Sequence, residues 1–442
     1  MTRTGDLVPP TVSGTHPEGT EVAQHLRIAL ERLPDAAYVW DDADEEAVVW
    51  DAPGDVYVWD APFVGGGFTD AVCDFHAVTI DAGHIDENGL FGSAEAVITL
   101  DNADGEYSQR ASDGRLVYWA TGRRVCLLGE ADGQWWWLFG GRVTGWDENP
   151  DGTVTVTAAD GFAQLARDVS ADWTPGTASQ TVSQRIASIC AKWGYTDPTN
   201  LAVTDVRMGN PLTDRSPLEE IQVTAMSDAG FVFCDQDGRL VYRGRDWPGG
   251  RSDQVTVHTF SDNLCDGSLI VWDLQIISDD VALATRVELE NYEDPAKVAT
   301  ASATVPQWEI PYVFSHPQED LWMSQADGDR LAQDLLARHG TDAPRFGWAL
   351  HLRDPNQDLW RPGIDLRLGD KVNVVRTFPA AGGEEGLIDV DGLVTGITHE
   401  INPDAWLVTV ETSRVVTYRS PLRWDRSPYT WDDPNAANVW SH

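Results

Sequence analysis

The apolar positions of this chain fall in short β-branched runs separated by turn-forming residues, and one run organises the rest: Val97 to Ser108, reading VITLDNADGEYS. Val97, Ile98, Thr99 and Leu100 have the composition of a buried strand. Asp101, Asn102, Asp104 and Gly105 supply a turn, with Gly105 free to take positive φ, and Tyr107 reopens an ordered segment. Strands are predicted next at Arg124–Leu128, Gln134–Phe139, Arg142–Trp146 and Thr153–Ala158, mostly joined by Gly-containing turns, as in an antiparallel barrel or sandwich. Asp160 to Asp168 reads as a short helix or turn that closes this first unit.

The period then changes. Val182, Ile186, Ile189 and Trp193 lie on one helical face, and Gly194 is a stop signal. Ser216-Pro217-Leu218-Glu219 is a capping box opening a second helix that buries Leu218, Ile221 and Ala225 and ends at Gly230. A hairpin follows, Phe231–Cys234 and Arg239–Arg243, turned by Asp235-Gln-Asp-Gly238. Strands return at Leu269–Ile277 and Ala284–Asn291. A third helix is predicted over Ser324–His339, with Leu331, Leu335 and Leu336 on one side, an Asp334/Arg338 pair on the other, and Gly340 as its stop. The last strands are Trp348–Leu352, Leu366–Val375, Leu387–Ile401 (broken at Gly392 and Gly396) and Trp406–Thr412. They predict a second β-barrel resembling the first, with the helix-bearing segment inserted in it.

The ends are different in kind. Residues 1–24 carry Pro9, Pro10, Pro17, Gly14 and Gly19 with few large apolar groups, an arm expected to be pinned by a partner chain. Tyr38-Val-Trp-Asp, Val49-Trp-Asp-Ala-Pro and Tyr57-Val-Trp-Asp-Ala-Pro form an internal repeat around Trp40, Trp50 and Trp59, echoed by Trp424, Trp431 and Trp440. Two readings of these tryptophans stay open: packing onto another surface through docking to adjacent chains, or local hairpins laid over their own domain.

Composition narrows the function. At 442 residues there is room for two to four domains. With 31 Lys+Arg against 71 Asp+Glu, the formal net charge is −40, and lysine occurs only at 192, 297 and 371. That balance argues against a protein that grips nucleic acid, because carboxylates repel phosphates. A GC-rich coding background, salt adaptation and a surface that must not hold DNA all fit it. Cys73, Cys126, Cys190, Cys234 and Cys265 are odd in number and never paired as CxxC, so neither a disulfide framework nor a zinc site is expected. No apolar run has the length of a membrane span or a signal peptide, and synthesis as a soluble protein in a cytoplasm is expected.

Candidate chemistry is sparse. His399-Glu400 is followed by Ile-Asn-Pro and is not HExxH; Gly65-Gly66-Gly67 lacks the lysine and helix of a phosphate cradle. Asp101–Gly105 has alanine where a calcium loop needs its second ligand, and Asp235–Gly238 is shorter still. Trp135-Trp136-Trp137 would stack sugars only if the rings shared a side, whereas strand residues alternate faces; core plus interface is the expectation. With 71 acids some pair always meets a glycosidase spacing, so proximity argues nothing. No catalytic, cofactor-binding or metal residue is assigned, and no cofactor.

VITLDNADGEYS, then GRRVCLLG and WWWLFGGRVTGW, resembles the N-terminal hub domain of minor tail proteins from long-tailed phages of actinobacteria. Ser216–Gly230 with Asp237–Tyr242 is similar to that family's middle segment. Leu368-Gly-Asp-Lys-Val372, Gly392-Leu-Val-Thr-Gly396-Ile-Thr-His399 and Asp404-Ala-Trp406 are similar to its closing barrel. The resemblance covers roughly 23–418 and departs at the Trp-Asp repeat, 38–62. It implies a mainly β fold with α+β inserts and two tube-protein-like β-barrel or sandwich domains, as in phage baseplate hubs and type VI secretion spike proteins. The domains would be an arm (1–24), a first hub barrel (25–168), an α+β insert (169–262), a second hub barrel (263–418, helical insert about 300–345) and a Trp/Asp-rich tail (419–442). It further implies a non-enzymatic virion protein at the tail tip, a homo-oligomer, specifically a trimer, that adapts a hexameric tube and lines its DNA exit channel. Its partners would be other tail proteins (distal tail ring, tape measure, tip or central fibre), with DNA passing only transiently. The competing class is a tail component that binds or cuts envelope glycan; a distal-tail ring is a variant of the first.

Overall fold

The computed structural model describes residues 21–31, 68–83, 91–110, 119–167, 176–211, 215–245, 256–262, 268–277, 284–303, 313–316, 320–339, 345–354, 357–379 and 385–414. The Trp-Asp repeat at 38–62, the tail at 419–442 and most of the arm at 1–24 lie outside the described residues.

Chain order begins with α1 (Glu21–His25), β1 (Leu26–Glu31), β2 (Phe68–Asp70), β3 (Phe75–Ala82), β4 (Glu95–Asp101), β5 (Arg124–Ala131), β6 (Gln134–Glu148), β7 (Thr153–Ala159) and α2 (Gly161–Leu165). Next come α3 (Val182–Trp193), β8 (Thr199–Leu201), α4 (Pro217–Met226), β9 (Phe231–Cys234) and β10 (Leu240–Arg243). Then follow β11 (Thr259–Ser261), β12 (Leu269–Ile270), β13 (Trp272–Ile277), β14 (Arg286–Glu290), β15 (Val298–Ser302), β16 (Val313–Phe314) and α5 (Gln325–His339). The chain closes with β17 (Arg345–His351), α6 (Trp360–Ile364), β18 (Lys371–Pro379), β19 (Glu385–Asn402) and β20 (Ala405–Arg414).

Period-two burial builds the large sheet. Ala96, Ile98 and Leu100 of β4 and Val154, Val156 and Ala158 of β7 are fully buried, while the residues between them face outward. Fourteen strands join in one sheet with two arms. The first runs β3-β4-β7-β6-β5-β1-β2 and the second β13-β17-β20-β19-β18-β11-β12. They meet where β3 pairs with the second half of β19. One hydrophobic core runs through both arms, from Val78 and Ile98 to Val394 and Val408, and takes in Phe231 and Phe233 of β9.

Two three-stranded sheets flank it. β8-β10-β9 packs with α3 and α4 around Ile186, Ile189 and Ile221; β15-β14-β16 packs on α5 around Val287, Leu289 and Leu331. Both helices of the first layer open on complete capping boxes, Ser216/Glu219 as the sequence predicts and Thr181/Gln184 as it does not. Gly194 ends α3 in the left-handed region at φ 75°.

Several local expectations are corrected. The strands predicted at Gln134–Phe139 and Arg142–Trp146 are one, because Gly140 and Gly141 make no turn. A Cβ on Gly140 would lie 2.9 Å from the Asp237 backbone, so glycine there admits the insert's hairpin. β19 is likewise unbroken at Gly392 and Gly396, while Leu269–Ile277 splits into two strands at opposite ends of the second arm. α4 ends at Met226 rather than at Gly230. Beyond these corrections, Asp334 and Arg338 each have a partner in the insert, Asp334 in Arg245 at 2.9 Å and Arg338 in the Ala229 carbonyl at 2.7 Å.

Candidate functional site

The two arms repeat one device in detail. In the first, the Gly122 N–H donates to Val143 O (2.7 Å) and the Val143 N–H to Arg123 O (2.7 Å). In the second, the Gly369 N–H donates to Val394 O (2.8 Å) and the Val394 N–H to Asp370 O (2.9 Å). Gly122 and Gly369 both take positive φ, 83° and 80°, a conformation that strains any residue with a Cβ. One residue beyond each valine the long strand bulges, between Val143 and Gly145 on β7 and between Val394 and Gly396 on β20. The bulged threonines make the same bond, Thr144 Oγ1 to Thr157 O and Thr395 Oγ1 to Glu411 O, each 3.3 Å.

The register agrees on both sides. Arg124 faces Arg142 as Lys371 faces Leu393, and Val143 faces Ala158 as Val394 faces Thr412. Sequence reasoning did not set these segments side by side, yet the signal is there: Gly141-Arg-Val-Thr-Gly145 against Gly392-Leu-Val-Thr-Gly396. The chain therefore carries two equivalent β-units. They are joined edge to edge with Ile397–Ile401 antiparallel to Ala82–Val78.

Across that junction the outward face of the sheet is polar and small. Rows set by the register read Thr157–Val97–Thr79–Glu400 and Glu95–Asp81–Thr398–Thr409–Ala349. Asp81, Glu95, Asp101, Glu400 and Glu411 are exposed there, against Arg345 as the described arginine on β3, β4, β17, β19 and β20 whose burial is resolved.

The insert is clamped to this frame by charge. Asp197 accepts from Arg142 (2.9 Å), Arg124 (3.3 Å) and Gln164 Nε2 (2.9 Å), beside a shallow cleft lined also by Gly140, Asp237 and Gly238. Asp160, at the N-cap of α2, accepts from Ser93 Oγ, Ala94 N and Phe162 N. Burial nonetheless pushes its carboxyl up to about 6. Gln236 Nε2 reaches the Leu366 carbonyl at 2.8 Å, tying the insert to the second unit as well.

The residues weighed for chemistry are spent on structure. Asp101, Asp104 and Asn102 accept from the backbone of Ala103, Glu106 and Tyr107. Asp235 accepts the Arg239 N–H, and Asp237 pairs with the Arg239 guanidinium. Among the described residues no group of three or more His, Cys, Asp or Glu could hold a metal. Cys126, Cys190 and Cys234 are free and buried. Trp136 enters the main core, whereas Trp137 joins Phe68, Cys126 and Leu128 on the other face, with Trp135 half-buried under Arg27.

His399 points inward and Glu400 outward. His399 Nδ1 accepts from Trp406 Nε1 at 3.2 Å, a bond only the unprotonated nitrogen can take. Burial pulls the imidazole down to about 3. The unfolded side chain titrates near 6.5, so this stability is whole above pH 6.5 and drains as pH falls toward 3. Between pH 7.5 and 5, urea unfolding of wild type is expected to lose about 2 kcal/mol more than His399→Phe. Parallel pH profiles for the two proteins would refute that assignment.

No protein-family model matches the chain, and no curated protein matches its sequence. No helix among the described residues is long and apolar enough to cross a membrane. Among the solved structures that resemble it are three tail proteins. A tail protein from Neisseria meningitidis MC58 is 14% identical, with 80% of this chain and 96% of that chain covered, at TM-score 0.54. The 43 kDa tail protein of prophage MuSo2 from Shewanella oneidensis is 14% identical, with 88% and 98% covered, at TM-score 0.51. A prophage tail protein from Listeria monocytogenes is 13% identical, with 80% and 92% covered, at TM-score 0.47. At such identities what the first two share with this chain is the fold, and it extends over nearly the whole of each.

Proposed function

We propose that the chain is a structural, non-enzymatic component of a phage tail, the hub at the tail tip, acting as a trimer that adapts a hexameric tube. The observation that carries this reading is the repeated bulge: two equivalent β-units per chain let three chains present six equivalent positions. The fold shared with two solved tail proteins, one of them from a prophage, supports the setting. The domain division expected from the sequence, with hub barrels at 25–168 and 263–418 around an insert at 169–262, belongs to the same proposal.

In this reading the Thr-rich, acid-dotted sheet face lines the DNA channel. Hydroxyls and small side chains leave a smooth wall, and Asp81, Glu95, Glu400 and Glu411 repel the passing phosphates. Reconstruction of the intact particle tests the placement. The expected result is a trimer at the tip with Thr79 and Thr398 facing the lumen; a single ring higher in the tube, or this face turned outward, would defeat the proposal. In particles that place it so, Thr79→Arg with Thr398→Arg is expected to slow DNA release roughly tenfold or more by letting the wall grip phosphates. Unchanged release kinetics would leave the acidity a matter of solubility.

A further inference from the structure

The two β-units differ in what stands on the sheet face away from the core. Across β1, β5 and β6 of the first unit, the rows on that face read Arg27–Leu128–Trp137 and Ala29–Cys126–Gly140. The same rows on β18 and β19 of the second unit read Val375–Asp389 and Asn373–Asp391. There Asp389 is exposed, and Asn373, Val375 and Asp391 are half-buried, as on any outer surface. In the first unit Ala29, Cys126, Leu128 and Trp137 are between 0% and 2% exposed, and Phe68 of β2 beside them is 5% exposed.

Neighbours within a sheet shield a side chain from the flank but not from above, so a tryptophan ring buried to this degree needs a layer packed over it. Every described member of this apolar cluster belongs to β1, β2, β5 or β6, the strands of the sheet itself. The insert's Asp235–Arg239 hairpin meets the face at Gly140, at one end of it.

We infer that the Trp-Asp stretch between β1 and β2 packs on this face of its own chain, with its tryptophan rings against Trp137, Leu128 and Cys126. The path of the chain selects it. β1 ends at Glu31 and β2 begins at Phe68, directly opposite each other, so residues 32–67 leave and re-enter at the edge of the patch. In the second unit β11 and β12 hold the places of β1 and β2 in the strand order, and only residues 262–268 join them. The long excursion thus goes with the apolar face and the short one with the polar face. Chemistry selects it too. Tyr38-Val-Trp40, Val49-Trp50 and Tyr57-Val-Trp59 bring large rings, whose burial on an apolar surface is strongly favourable, and an aspartate follows each tryptophan. Arg27 stands at the rim with its guanidinium over Trp135, placed to meet one of those carboxylates. A segment tethered at both ends beside the face meets it at an effective concentration on the order of millimolar, ahead of a second copy or another protein.

The native Cys126 thiol reports on the face in the full chain. It is expected to resist a maleimide in dilute wild-type protein and to react roughly tenfold faster or more in Trp40→Ser with Trp50→Ser and Trp59→Ser, because thiol reactivity follows exposure. Cys190 and Cys234, buried in the insert, should stay protected in both and show that the variant is folded. Cys126 still protected in a folded triple variant would overturn the inference. So would wild-type protection that appears only as protein concentration rises, which would assign the face to a second copy. Photo-crosslinking from Trp135→p-benzoylphenylalanine needs no destabilising change and decides the matter if the triple variant unfolds. The expected product is a single chain linked from position 135 into residues 32–67. Two chains joined together, or links that map to another segment, would overturn the inference.

Discussion

Arg185→Leu is expected to destabilise the protein by about 3–5 kcal/mol in urea unfolding. Arg185 and Glu220 are both fully buried and meet at 3.1 Å between α3 and α4. The same guanidinium donates to Gln180 Oε1 (3.1 Å), Thr177 O (2.9 Å) and Gly209 O (2.6 Å), pinning two loops to the helix pair. Burial lowers its pKa even against Glu220, which shows how strongly the site disfavours charge. Removing the arginine takes the cationic partner from a fully buried carboxylate, and that is where the loss arises. The paired variant Arg185→Met with Glu220→Leu should recover more than half of it, short of full recovery because the Thr177 and Gly209 carbonyls lose a donor. A single variant that loses under about 1 kcal/mol would mean that water reaches Glu220.

Trp348→Ala is expected to cost a similar amount, about 3–5 kcal/mol. Trp348 is 2% exposed on β17, between β13 and β20, with the Phe260 ring at 4.9 Å. Its loss opens a cavity where the second unit's strands converge, and stiff cross-strand neighbours such as Val410 cannot close it. Trp135 provides the contrast. It is half-buried with the Arg27 guanidinium 4.3 Å above its ring, so Trp135→Ala should cost under about 1.5 kcal/mol. Equal losses at the two positions, measured by chemical unfolding, would contradict this picture of the core.

What the sequence determined by itself is what its neighbours in the chain could enforce. The Ser216/Glu219 box, the α3 stripe ending at Gly194 and the Asp101–Gly105 turn all close hydrogen bonds within a few residues, so a short window contains both partners. The alternation that puts Trp136 and Trp137 on opposite faces is equally local. Two β-rich regions around an α+β segment were legible for the same reason. Only the tertiary structure decided what the glycines were for. Gly140 reads as a turn until the Asp235–Arg239 hairpin is seen against it, and Gly396 reads as a break until β20 fixes it as a bulge. It also decided that Asp334 reaches Arg245 of the insert, and that β3, paired with β4 on one side, joins β19 on the other. In each case the partner lies tens to hundreds of residues away, and strand edges carry the same backbone donors and acceptors whatever their side chains. Their pairing is therefore set by which apolar faces can be buried together, and no local window contains that information.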